Sequence, residues 1–152
     1  MKKLSNPRDL LIAQLSELLW VERRLAFDVL PHLVEQASDE PLSSLFEEHR
    51  AQTQEHERRV AAAFRELGIE PSSALSPGLS GLIEQHSDVA GKIVEPGLRD
   101  KWHAAAGIAA EHFEIALYTA IEPLAPDEVR KLLAPNLKDE QAALKKLAGY
   151  LV

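Results

Sequence analysis

The run Leu11-Ile12-Ala13-Gln14-Leu15-Ser16-Glu17-Leu18-Leu19-Trp20-Val21-Glu22-Arg23-Arg24-Leu25-Ala26-Phe27-Asp28-Val29 decides how this chain folds. Leu11, Leu15, Leu18, Leu25 and Val29 recur every three, four or seven positions, and Ile12, Leu19, Ala26 and Leu33 flank them. That period belongs to an amphipathic α-helix with one face turned to a core. Glu22 stands in the middle of the apolar row. A carboxylate taken out of water requires a metal ion, a hydrogen-bonding partner or a proton.

Working outward, Asn6-Pro7 reads as an N-cap and first helical residue, with Asp9 favourable in the first turn. The first helix is expected over 7–37, kinked at Pro31, which removes the bond to the Phe27 carbonyl. Ser38 to Pro41 form a break. A second helix follows over 41–67 and stops at Gly68. Residues 69–96 hold Pro71, Pro77, Gly78 and Pro96 around one short amphipathic piece and read as a crossover. Further helices are expected over 98–122, stopped by Pro123, and over 126–151, bent at Pro135. Two hairpins joined by a long middle segment specify an all-α fold, a ferritin-like antiparallel four-helix bundle with a partly helical crossover between helices two and three. The length suits a single domain over 1–152.

Each of the other helices repeats the interruption seen at Glu22. On helix two, Leu42, Leu45, Val60, Ala63 and Leu67 enclose His49, Gln52 and His56. Helix three carries Glu111 and Glu114 between Gly107 and Tyr118, and helix four carries Asn136 and Glu140 between Leu133 and Ala143. Residues three or four apart on a helix share a face, so these groups converge on one polar centre. Carboxylates and imidazoles suit iron, manganese or zinc. The bundle pattern for two metals uses a Glu-x-x-His on each of two helices. This chain has none; its nearest spelling is Asp100 to His103, outside the central layer. A buried Glu–His network without metal, or ion pairs from Glu111 and Glu114 to Arg23 or Arg24, would also satisfy these groups. Beside Glu140, Asp139 competes for the inward position.

Composition narrows the function. The chain has no cysteine, which excludes disulfides, thiolate ligands and cysteine nucleophiles. A net charge of −7 argues against nucleic acid as a partner. No stretch has the length and apolarity of a membrane span, and Lys2-Lys3 does not open a signal peptide. A cytoplasmic protein with no membrane partner is expected. There is no phosphate-binding glycine loop and no Gly-x-Ser-x-Gly elbow. His86 on the crossover reads as a surface residue, His112 faces away from the central stripe as an interface candidate, and Trp20 and Trp102 read as packing or dimer-contact residues.

Several motifs resemble one family. Val21-Glu22-Arg23-Arg24-Leu25 with Leu30-Pro31, Phe46-Glu47-Glu48-His49 with Thr53, His56 and Arg59, and Gly81-Leu82-Ile83-Glu84 are similar to segments of the YciE/YciF ferritin-like bacterial stress proteins. Glu111-His112-Phe113-Glu114-Ile115 with Tyr118 resembles that family's Glu-His-Tyr-Glu-Ile-x-x-Tyr signature, the most specific match. The resemblance implies a homodimeric bundle tied to stress responses, with iron or manganese at a di-metal centre. By position it implies Glu22, His56, Glu111, Glu114 and Glu140 as ligands, with His49 and Gln52 as further candidates. Glutamates the family commonly carries near 51, 52 and 135 are replaced here by Ala51, Gln52 and Pro135. That loss points to a degenerate site of one metal or none.

Two readings therefore stand. In the first, metal sits in the bundle centre, with iron- or manganese-dependent redox chemistry as its activity if it has one, Glu22 and Glu140 terminal, Glu111 or Glu114 bridging, His56 the nitrogen donor and Tyr118 at hand. In the alternative, the chain is a metal-free structural or protein-interaction dimer whose polar centre fixes register.

Overall fold

The computed structural model describes residues 2–152, and every regular element among them is helical. Helix α1 (Pro7–Arg24) starts as the sequence dictates, with the Asp9 amide donating to Asn6 Oδ1 at 2.9 Å. It passes into a π-helical turn, Leu25–Val29, and then α2 (Leu30–Gln36). The kink expected at Pro31 takes this form. Proline cannot donate to the Phe27 carbonyl, and the turn widens so that the Leu30 amide reaches Leu25 O. Helix α3 (Glu40–Glu66) follows a tight turn. The α3 start is capped from a distance: Asp100 accepts the Ser38 and Asp39 amides at 2.9 Å each and the Ser38 hydroxyl at 2.5 Å. Helix α3 ends ahead of Gly68, at φ +75° the one positive-φ residue among those described.

The crossover runs back along α1. The Ala74 amide donates to Ser16 O at 2.9 Å, and the Ser76 hydroxyl to Glu17 Oε1 at 2.7 Å. Ser76 also caps α4 (Pro77–Ala90). Helix α5 (Pro96–Ile121) begins two residues earlier than the sequence suggests, because Glu95 accepts the Gly97 and Leu98 amides. Helix α6 (Asp127–Leu151) runs through Pro135 without a break.

Helix α1 packs on α3 and α5, α6 packs on the same two, and α4 lies on α5, and the buried faces of these helices make the interior. Two apolar clusters fill that interior. One gathers Leu11, Leu15, Leu18, Val60, Phe64 and Ile121; the other gathers Val21, Leu30, Leu42, Phe46, Leu79 and Leu147. No helix of the described residues is long and apolar enough to cross a membrane.

Candidate metal centre

Along each long helix the apolar sequence breaks between these two clusters. On α3 the buried residues run Leu42, Phe46, then His49, Thr53, His56, then Val60. On α5 they run Ala104, then Glu111, Glu114, then Tyr118, Ile121, and on α6 Val129, Leu133, then Asn136, Glu140, then Ala143. Glu22 supplies the same step on α1 and is 0% exposed. The α3 stripe is rotated slightly from the expected one: Phe46 and Thr53 face inward, while Leu45 and Gln52 sit half-buried at its edge.

The buried groups form two sets. His49, Glu111, Glu114 and Glu140 bring one ligand atom each within 4.8 Å of one another, and so do Glu22, His56 and Glu140. Glu140 belongs to both. Sharing falls to Glu140 and not, as expected from the sequence, to Glu111 or Glu114. His49 belongs to the first set, and Gln52 meets the outer nitrogen of its ring.

The distances are short without being hydrogen bonds. His49 Nε2 lies 2.6 Å from Glu111 Oε1 and 3.4 Å from Glu140 Oε2. His56 Nδ1 lies 2.7 Å from Glu140 Oε1 and 3.7 Å from Glu22 Oε2. Neither nitrogen meets a partner at hydrogen-bonding angles, nor do both oxygens of Glu114, both of Glu140, Glu22 Oε2 or Glu111 Oε2. Buried polar atoms are ordinarily paired. Here they are close together but aimed past one another.

Their outer sides, by contrast, are held. His49 Nδ1 meets Gln52 Oε1 at 3.3 Å, and His56 Nε2 meets Asp139 Oδ2 at 3.0 Å. Both partners are acceptors, so the outer nitrogen of each ring donates and the inner one keeps a lone pair in the neutral form. Fixing a ring from behind by a carbonyl or carboxylate is the usual second support of a histidine ligand. Glu22 is held through Oε1, which accepts from the Tyr118 hydroxyl. That hydroxyl accepts from Asn136 Nδ2 at 2.9 Å, and Asn136 Oδ1 in turn accepts from Arg59 at 2.9 Å. The sequence places Asn136 on the inward stripe and Asp139 beside Glu140, but does not show that they act as supports of Tyr118 and His56. The Asn136 amide bridges Tyr118 and the His56 carbonyl. The ion pairs offered for Glu111 and Glu114 do not form: Arg23 pairs with Glu57 and Arg24 with Asp28.

Electrostatics reports the crowding. Burial raises the pKa of Glu22, and burial with the Glu140 charge raises Glu111 and Glu114 well above the ordinary carboxylate range. For Glu140 burial acts upward too, but Glu111, His49 and His56 around it outweigh that and hold it well below. Burial disfavours a charged His56, yet Glu140 and Glu22 overcome it and push the ring to about 10. His49 is raised in the same way by Glu111 and Glu140. Glu22, Glu111, Glu114 and Glu140, if all ionised, carry a charge of −4 that two divalent cations would cancel. Oxygen and imidazole donors, bare inner atoms and this excess charge together fit a divalent transition metal.

His86, expected on the surface, is 9% exposed and meets His103 Nδ1 at 2.8 Å. Trp102 stacks on it and donates to its carbonyl. Apolar residues of the crossover helix turn His86 inward toward α5, a contact that its local sequence does not announce.

Residues 6–152 match DUF892, a domain of unknown function. Protein YciF of Escherichia coli K12 is 30% identical over 149 residues, 95% of this chain and 89% of that protein. Among solved structures, the Rhodopseudomonas palustris protein YcfI superposes with a TM-score of 0.93 at 32% identity, covering 97% of this chain and 96% of its own. The E. coli stress protein YciF superposes with a TM-score of 0.90 at 27% identity and the same coverage. With nearly its whole length matched in sequence and in fold, the chain belongs to the DUF892 family, alongside YciF.

Proposed function

We propose that this chain is a YciF-type stress protein whose helices form a ferritin-like four-helix bundle, with α4 on the crossover, around a centre for iron or manganese. One observation carries the reading: two sets of fully buried donor atoms, joined through Glu140, approach within 4.8 Å and leave their inner atoms unpartnered. His49, Glu111 and Glu114 would hold one ion, Glu22 and His56 another, and Glu140 both. Such an ion supplies one-electron redox chemistry. The chain's own contribution is support. Tyr118 orients Glu22, Asp139 and Gln52 orient the two rings, and the apolar clusters on either side keep bulk water out. Elemental analysis after anaerobic reloading with ferrous iron or manganese tests the reading. One or two ions per chain are expected, and Glu111→Gln with Glu114→Gln should abolish uptake while helix content is kept. Retained uptake in that variant would sink the assignment.

A second reading has its own observation. The His56 ring is 2.7 Å from Glu140 and is pushed to about 10, so it and Glu140 can compensate each other as an ion pair without any metal. In that case the centre is a register-fixing network. Chelation would then leave the melting temperature unchanged, whereas a filled site loses stability with its ion.

A further inference from the structure

A second feature ends at the same centre. Between α2, α3, α4, α5 and α6 lies a pocket of about 60 Å³ walled by Leu30, Leu33, Phe46, Leu79, Ile83 and Leu147. Its inner end is formed by His49, Glu111 and Glu114, and Glu114 turns two buried, unpartnered oxygens to this region. Glu48 and Lys146, joined at 2.8 Å, also line it and are exposed, so the pocket reaches the surface beside an ion pair. We propose that the pocket admits the uncharged aliphatic end of a small molecule and brings it against the candidate metal centre. The statement deepens the metal reading, on which it rests for what the ligand meets at the inner end.

The lining decides the chemistry. Glu48 and Lys146 stand at the mouth and Gln52 and His86 at the edges, but the walls are otherwise aliphatic and aromatic, so a polar or ionic body loses water that most of the path does not replace. An anion is further opposed by Glu111 and Glu114. A cation drawn by those carboxylates would shed its hydration among leucines before reaching them. The size decides the length. An apolar cavity of about 150 Å³ takes a benzene ring, so 60 Å³ suits a chain end of a few carbons. The aliphatic walls contribute affinity in proportion to the apolar area covered, and the carboxylates and imidazoles mark where a reacting atom would stop.

The probes are straight-chain alcohols from 1-propanol to 1-octanol, titrated into the full chain and followed by methyl NMR. Saturable shifts are expected at Leu79, Ile83 and Leu147. Affinity should rise about fourfold per added methylene and level off once the chain outgrows the pocket. Ala110→Phe, which fills the pocket, should weaken binding by about tenfold or more. Ala106→Leu should do so in part, and decides the matter if the larger variant does not fold. Ala134→Leu lines a separate cavity beside Tyr118 and should leave binding unchanged. Unsaturable shifts, a rise that continues through 1-octanol, or indifference to both filling variants would overturn the proposal. Alcohol binding by a chain that takes up no iron or manganese would keep the pocket and discard the metal centre. Metal uptake without alcohol binding would do the reverse.

Discussion

The fold buries two pairs of histidines and treats them oppositely. His49 and His56 sit among carboxylates, and His56 is pushed up to about 10. His86 and His103 are buried nearly as deeply, yet His86 is pushed down to about 4. Burial acts in one direction on all four, against the charged ring. The difference lies in what surrounds them. Around the first pair, Glu22, Glu111 and Glu140 bring negative charge within 4 Å. The charges that act on His86 are those of His103 and His32, the Trp102 ring stacks on it, and Asp100, which acts on His103, is occupied by Ser38 and Asp39. Depth therefore does not make a histidine a ligand. A set of unpartnered carboxylates facing the same point makes it a candidate, and the second pair has none.

The sharpest way to break that contrast is to remove Glu140, the residue that both metal-side sets share. Glu140→Ala strands two inner imidazole nitrogens against the remaining carboxylates in a dry interior. Breaking a buried ionic network from one side costs about 3–5 kcal/mol. Urea unfolding of the chelated protein should show a loss of that size, and metal uptake should vanish with it. A loss under 1 kcal/mol would mean that the first pair is no more electrostatically committed than the second.

Asp139→Asn is the next step down. It touches no inner donor atom and removes the carboxylate behind His56 Nε2, together with a looser 3.9 Å pairing to Arg59 at the edge of the centre. Supporting partners of histidine ligands contribute about 10–100-fold to metal affinity, so manganese should bind that much more weakly by equilibrium dialysis. Stoichiometry and melting temperature should stay nearly constant. Unchanged affinity would show that the ring is held by packing alone.

The residues tested by these two variants were unequally legible. Glu22, Glu111, Glu114 and Glu140 are visible in the sequence because each interrupts an apolar stripe of period 3.6, and interruption needs no partner to be seen. The sharing of Glu140 is not visible. It depends on which oxygen faces which helix, a matter of tilt and height that spacing does not encode. Asp139 and Glu140 are adjacent and differ by about 100° around the helix, so the stripe ranks them without saying that both touch His56. The same angular step exchanges Leu45 and Gln52 for Phe46 and Thr53 on α3. The helix starts were legible where a cap was local, as at Asn6. The α3 start, capped by Asp100 sixty-one residues away, was legible only as a break. His86 reads as surface because α4 is short and its inward face is set by contact with α5, not by its own pattern.

The second pair gives a pH signature. The folded-state value of His86 is about 4, below the ordinary value of about 6.5. Below pH 6.5 the unfolded chain therefore takes up protons that the folded chain refuses, and stability falls with pH until about 4. His86 is partly reached by solvent, which reduces the effect to about 1–3 kcal/mol. Other groups of the chain also change protonation with pH, so the measurement is a difference. His86→Gln, which keeps a hydrogen-bonding amide but cannot be charged, should flatten the profile between pH 6.5 and 4 relative to the parent. Parallel profiles would remove the contrast between the two pairs.

The smallest effect tests whether α4 is only a carrier for His86 and the pocket wall. Gly81 lies in the interior of α4, and a Cβ built there meets nothing within 4 Å. Its backbone does not have positive φ, so alanine fits without strain. Gly81→Ala should then raise stability by about 0.4–1 kcal/mol through lower entropy of the unfolded chain and better helix propensity. Because the new methyl points into open space, metal uptake and the His86 pH profile should not move. Gly78, three residues earlier, is the control: a Cβ there lies 2.7 Å from the Phe113 ring, and alanine should destabilise. If Gly81→Ala strengthens the helix and also changes metal uptake, α4 is coupled to the centre through the wall it shares with Glu111 and Glu114, and the two histidine pairs do not act independently.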